Sequence, residues 1–149
     1  MKFLDSIKSG IAKAEAADQN LKSVTAVFSE LNRVLSDYTD GKLKITRKMS
    51  INSRIASISA KILESQASDS TKSDVIALNS KIETKTYAEV AKWRQHVNGF
   101  PCTINFEGRE YMCESTDDLK AALSELLSSV SFGKALSNAL QETSSDPEG

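Results

Sequence analysis

The chain has 149 residues, with 19 Lys and Arg against 20 Asp and Glu, two Cys and one His. Its 40% apolar content is that of an ordinary soluble protein with side chains enough for a core. The net charge of −1 excludes a uniformly basic nucleic-acid coat and an acidic nucleic-acid mimic, and so few Cys and His exclude a disulfide scaffold or a Cys- or His-rich zinc site.

The first 39 residues carry one long helical pattern. Apolar positions fall at Leu4, Ile7, Ile11 and Ala14, then at Ala17, Leu21, Val24, Phe28, Leu31, Leu35 and Tyr38. The second run is a heptad seam. The three-residue step from Ala14 to Ala17 suits a straight helix better than a continuous supercoil. Asp40-Gly41 ends the helix, with glycine free to turn left-handed. About 38 residues of helix span roughly 57 Å, so the seam needs a partner in this chain or another.

Residues 42–47 alternate polar and apolar, which predicts a short strand with Leu43 and Ile45 inward, with a helix as the alternative. Ser50 then caps a second helix with the stripe Ile51, Ile55, Ile58 and Ile62. Glu64 to Ser73 is Ser-rich and polar and reads as a loop. Val75, Leu78 and Ile82 predict a short third helix. Thr86-Tyr87-Ala88-Glu89 has the form of a capping box, opening a helix to Val97 that stops at Asn98-Gly99.

The clearest β signal follows. Cys102–Phe106 and Arg109–Cys113 flank Glu107-Gly108. A two-residue turn pairs Phe106 with Arg109, Ile104 with Tyr111 and Cys102 with Cys113, gathering the apolar side chains on one face. The two Cys then lie directly opposite, within reach of a disulfide; two reduced, buried thiols are the expectation for a reducing compartment. Ser115 caps a further helix with Asp117 and Asp118 in its first turn and with Leu119, Leu123, Leu126 or Leu127, and Val130 on its face. Phe132, Ala135, Leu136 and Leu140 mark a last helix, and the composition beyond Gln141 predicts a disordered tail.

Candidate chemistry is sparse. His96, the one imidazole, is expected at a helix end as a surface or capping residue, and no G-x-S-x-G nucleophile elbow accompanies it. No phosphate-binding glycine motif occurs. The carboxylates of Asp117, Asp118, Glu107, Glu110 and Glu114 suit helix capping and a solvated edge. No catalytic, cofactor-binding or metal-binding residue is expected. Trp93 shares a three-and-four spacing with Val90 and Val97 and reads as core. Charge is uneven: residues 1–40 sum to −1, 41–63 to +6, 64–106 to 0 and 107–149 to −6. The basic set Lys42, Lys44, Arg47, Lys48 and Arg54 is therefore the candidate partner-binding patch. Lys42, Lys44 and Lys48 share the outward face of the strand, where they guard an edge or meet an acidic partner.

Glu107-Gly108-Arg109-Glu110-Tyr111 followed by Ser115-Thr116-Asp117-Asp118-Leu119 loosely resembles the helix–hairpin–helix arrangement of small phage head–tail joining proteins, over Thr86 to Ser129. The resemblance implies an arrangement of elements and no activity.

These readings combine into an α+β fold, mainly α. A long N-terminal helix and helical bundle form an arm over 1–67 with the strand 42–47. A helix–β-hairpin–helix domain covers 74–141, and 142–149 form the tail. The functional expectation is a cytoplasmic, non-enzymatic protein–protein interaction module, such as an assembly factor, inhibitor or immunity-type protein. It binds a protein partner or self-associates through the N-terminal helix, with no cofactor and no membrane. The alternative is a nucleic-acid-associated regulator using the basic segment 42–54.

Overall fold

The computed structural model describes residues 2–49, 71–82 and 84–145. Helix α1 (Phe3–Thr39) leads into β1 (Leu43–Met49), β2 (Thr71–Ser80), β3 (Thr86–His96), β4 (Cys102–Phe106) and β5 (Arg109–Cys113), followed by α2 (Thr116–Leu127) and α3 (Val130–Ser145). The strands form one antiparallel meander in the order β1-β2-β3-β4-β5. The class is α+β. The stripe Ile51, Ile55, Ile58 and Ile62, and Arg54, lie outside the described residues.

Several expectations hold. Helix α1 ends where predicted, with Asp40 itself taking the left-handed conformation and its N–H bonding Ser36. The 42–47 strand is β1, with Leu43 and Ile45 buried. The hairpin register is Cys102 with Cys113, Ile104 with Tyr111 and Phe106 with Arg109. Its turn places both Glu107 and Gly108 at positive φ, the geometry whose twist matches that of the flanking strands. Ser115 caps α2 by accepting the Asp118 N–H at 3.2 Å.

Two predicted helices are strands. Residues 75–82 were expected helical, yet Val75, Ile76, Ala77 and Leu78 are all buried within β2. A short, unbroken apolar run suits a strand covered on both faces, and its spacing cannot separate that from a buried helix. Thr71 to Ser73, expected as loop, already belong to this strand. The segment from Thr86 is β3, so the capping box is no cap. Its pairing skips Val90, between Ile76–Ala91 and Ala77–Glu89, and Tyr87, between Leu78–Ala88 and Asn79–Thr86. Each bulge adds a residue to the strand, and Val90 is thereby left three before Trp93, which imitates helical spacing. With β3 a strand, the hairpin follows a strand rather than a helix, and the likeness to the head–tail joining proteins loses its first element. Helix α3 reaches Ser145, so residues 142–145 are helical rather than tail.

One core joins α1, the sheet, α2 and α3. Val24, Phe28 and Leu35 share it with Ile45, Ile76, Leu78, Trp93, Ile104, Leu119, Leu126 and Phe132. Residues of the expected arm and of the expected C-terminal domain thus pack in a single cluster. The strand residues come from one face of the sheet; Val75 and Ala77, on the other face, are not part of the cluster. Phe28 meets Trp93 edge-on, with ring centroids 5.3 Å apart. The β3–β4 loop seats against α1 at Gly99, where a Cβ would lie 2.6 Å from Asn20 Cβ, so only glycine permits the approach.

Candidate functional site

The most distinctive surface is the N-terminal part of α1. Residues 2–16 are exposed, and the first fully buried residue of the helix is Val24. Phe3 is 74% exposed, Leu4 61%, Ile7 60% and Ile11 56%. An α-helix advances about 100° per residue, so these four and Ala14 form one stripe. The stripe is centred roughly 100° around the helix from the face of Val24, Phe28, Leu31 and Leu35 that enters the core. The step at Ala14–Ala17 marks this change of direction. Helix α1 therefore carries two apolar faces, one used by its own body and one presented outward. An exposed apolar patch of this kind, on a helix standing clear of its body, is the usual mark of an interaction site.

The predicted basic patch is divided by the strand's alternation. Lys44 and Lys48 lie on the outer face of the sheet, as expected. Lys42 is exposed in the turn before β1, its carbonyl accepting from the Lys81 N–H at 3.1 Å. Arg47, grouped with them, shares the parity of Leu43 and Ile45 and turns inward. Its guanidinium lies 4.5 Å from the centre of the Phe28 ring and 5.8 Å from that of Trp93, and Nη1 donates to Gln95 Oε1 at 3.4 Å. Burial lowers its affinity for the proton, opposed by attraction to the Asp74 carboxylate. Arg47 is a packed cation–π group rather than a free contact for a partner. It forms one wall of a cavity of about 430 Å³ between α1 and β1, lined also by Thr25, Ser29, Asn32, Asp74 and Gln95.

Lys92 and Arg94 of β3 join Lys44 and Lys48 instead, and the sequence reading missed them because β3 was read as a helix. Cross-strand pairing sets Lys48, Val75, Lys92, Asn105 and Glu110 in one row across all five strands. Beside this row Thr46 Oγ1 donates to Asn79 Oδ1 at 2.9 Å, Asn79 Nδ2 donates to Thr86 Oγ1 at 3.2 Å, and Lys48 Nζ also reaches Thr86. The result is a polar face with cations and a small apolar floor at Val75 and Ala77. A shallow cavity of about 690 Å³ runs along its β3–β4 side.

The remaining candidates are structural in their surroundings. His96 closes β3 rather than a helix; its Nδ1 accepts the Asn98 N–H at 3.0 Å and its own N–H bonds Pro101 at 3.1 Å. Cys102 and Cys113 are free and buried. The hydrogen bond with Cys113, and burial, push the Cys102 thiol well above its ordinary range. Glu107 Oε2 accepts the Ser131 N–H at 2.8 Å, tying the hairpin tip to the first turn of α3. Among the described residues no grouping of His, Cys, Asp and Glu could hold a metal ion, and no helix is long and apolar enough to cross a membrane.

No protein-family model matches the chain, and no curated protein or solved structure matches it either.

Proposed function

We propose that this protein is a non-enzymatic interaction module, of the kind used as an assembly factor, inhibitor or immunity-type protein. It docks through the outward apolar stripe of α1. The observation that carries this reading is the pairing of two facts: Phe3, Leu4, Ile7 and Ile11 are exposed on a helix that stands clear of its body, and their direction differs from that of the core-facing seam. The exposed segment 3–16 has little tertiary packing to hold it, and an isolated helix of about 14 residues is marginal in water. A partner seated on the stripe supplies the missing packing in the manner of a helix laid into a groove. The free, buried thiols support a cytoplasmic setting, where such groups stay reduced.

The test is site-specific photo-crosslinking in the source cell. A photoreactive residue at position 7 sits at the centre of the stripe, and one at position 9 points away from it. Covalent protein adducts at 7 and none at 9 support the reading. Equal yields at both positions, or none at 7, contradict it.

A second reading draws on the outer face of the sheet. Lys44, Lys48, Lys92 and Arg94 make it the more basic side of β1 to β3, and it would suit a phosphate-bearing strand. Among the described residues no aromatic side chain lies among these cations to stack a base. Binding to generic DNA with a log–log salt slope of roughly −3 to −4, as release from about four phosphates requires, would favour it.

A further inference from the structure

We infer that the occupant of the α1 stripe is a second copy of this chain, paired antiparallel over residues 4–21; the inference rests on the reading of that stripe as a docking face. The argument is one of charge and extent. Wound at about 100° per residue, Lys8, Glu15 and Lys22 lie along one flank of the stripe, and Asp18 stands on the stripe's own line at its far end. The other flank holds Phe3, Gly10 and Ala17.

In a parallel, in-register pair the charged flank of each helix would face the uncharged flank of the other, and Lys8 and Glu15 would find no opposite charge. An antiparallel pair that sets Ile11 against Ala14 of the second copy brings Lys8 between that copy's Glu15 and Asp18. Antiparallel helices bring like flanks together, so the bulky Phe3 meets the flank carrying the small Ala17. Two-fold symmetry makes every such contact twice.

The same register sets Ile7 against Asp18, whose carboxylate is within one residue's rise of the second copy's Lys8, and Leu4 against Leu21, and ends there. Val24, the first fully buried residue of α1, lies about one turn beyond that contact. The pairing thus uses the whole projecting segment and stops where the body begins. The body packs on a face roughly 100° away and leaves room for the second helix. A slipped register that moved the pair toward the N-terminus would align the two Lys8 side chains, which disfavours it.

Sedimentation equilibrium of the full chain, combined with charge exchange, tests this. The wild type is expected at twice the 16.2 kDa of the chain. Lys8→Glu alone, and Glu15→Lys with Asp18→Lys, should each weaken association about tenfold, since each change acts twice and places like charges together. The triple variant should restore it. All these positions are exposed, and unchanged circular dichroism checks that the fold is kept. As an independent measure, Ile11→Cys chains mixed with Ala14→Cys chains should form disulfide-linked dimers between the two variants. Cross-links only within each variant would mean a parallel pair and overturn the inference, as would failure of the triple variant to recover. A wild type monomeric at all concentrations overturns it too. If crosslinking at position 7 persists in that case, the docking face stands with a different occupant; if it is also lost, both readings fall.

Discussion

Asn32 grips the backbone of Ile45 with both ends of its side-chain amide. Oδ1 accepts the Ile45 N–H at 2.7 Å and Nδ2 donates to the Ile45 carbonyl at 2.8 Å. Ile45 lies on an edge strand, and an edge offers backbone groups to any passing strand. Thr39 Oγ1 does the same one pleat earlier, accepting the Leu43 N–H at 3.3 Å. Helix α1 thus occupies the edge of β1 as well as its face.

Asn32→Ala should destabilise the protein by about 1–3 kcal/mol, because two part-buried backbone groups lose their partner. Asn32→Asp should be no better, since a carboxylate would face the Ile45 carbonyl. Urea denaturation measures both. Aggregation of the folded Ala variant, absent from the wild type, is the expected sign of the uncovered edge.

Phe28→Ala should cost roughly 3–5 kcal/mol, because the ring is held between Trp93 and the Arg47 guanidinium. Ile7→Ala, in the same helix, should change the stability of a monomeric variant by less than about 0.5 kcal/mol. Similar costs at both positions would mean that the stripe is packed within its own chain.

Glu107 supplies a pH dependence. The Ser131 N–H and hydroxyl hold its carboxyl below the ordinary carboxylate range. A carboxyl whose folded value is depressed contributes stability above its unfolded pKa of about 4.3, and loses it as pH falls through the folded value. Glu107→Gln should therefore melt below the wild type at neutral pH, and the gap should close in acid. A gap that stays constant with pH would show that the carboxylate does not act through its charge.

Cys102 and Cys113 should react slowly with a thiol reagent in the native protein and rapidly once it is denatured, because burial withholds both and the thiolate is the reactive form. Prompt labelling, or a native mass lower by two hydrogens, would contradict this.

The sequence made the hairpin legible to the exact pair because alternation and a two-residue turn leave a single register that buries Ile104, Phe106 and Tyr111 together. The inward turn of Arg47 was legible in principle from its parity with Leu43 and Ile45, but its charge drew it into a surface patch. The central strands were hidden for physical reasons. β2 is apolar on both faces, which removes alternation, and the bulges at Tyr87 and Val90 shift the phase of β3. With β3 misread, Lys92 and Arg94 could not be placed beside Lys48. The stripe from Leu4 to Ala14 was visible, whereas its departure from the body's face emerged only once Val24, Phe28 and Leu35 were seen in the core.

Amide hydrogen exchange along α1 tests the central claim most directly. If a second copy of this chain covers the outward stripe, amides 6–16 are protected in the purified protein, protection rises with concentration, and Ile7→Asp with Ile11→Asp abolishes it while residues 24–39 keep theirs. Fast exchange of 6–16 at every concentration, equal in wild type and variant, would contradict the pairing of two copies through this stripe.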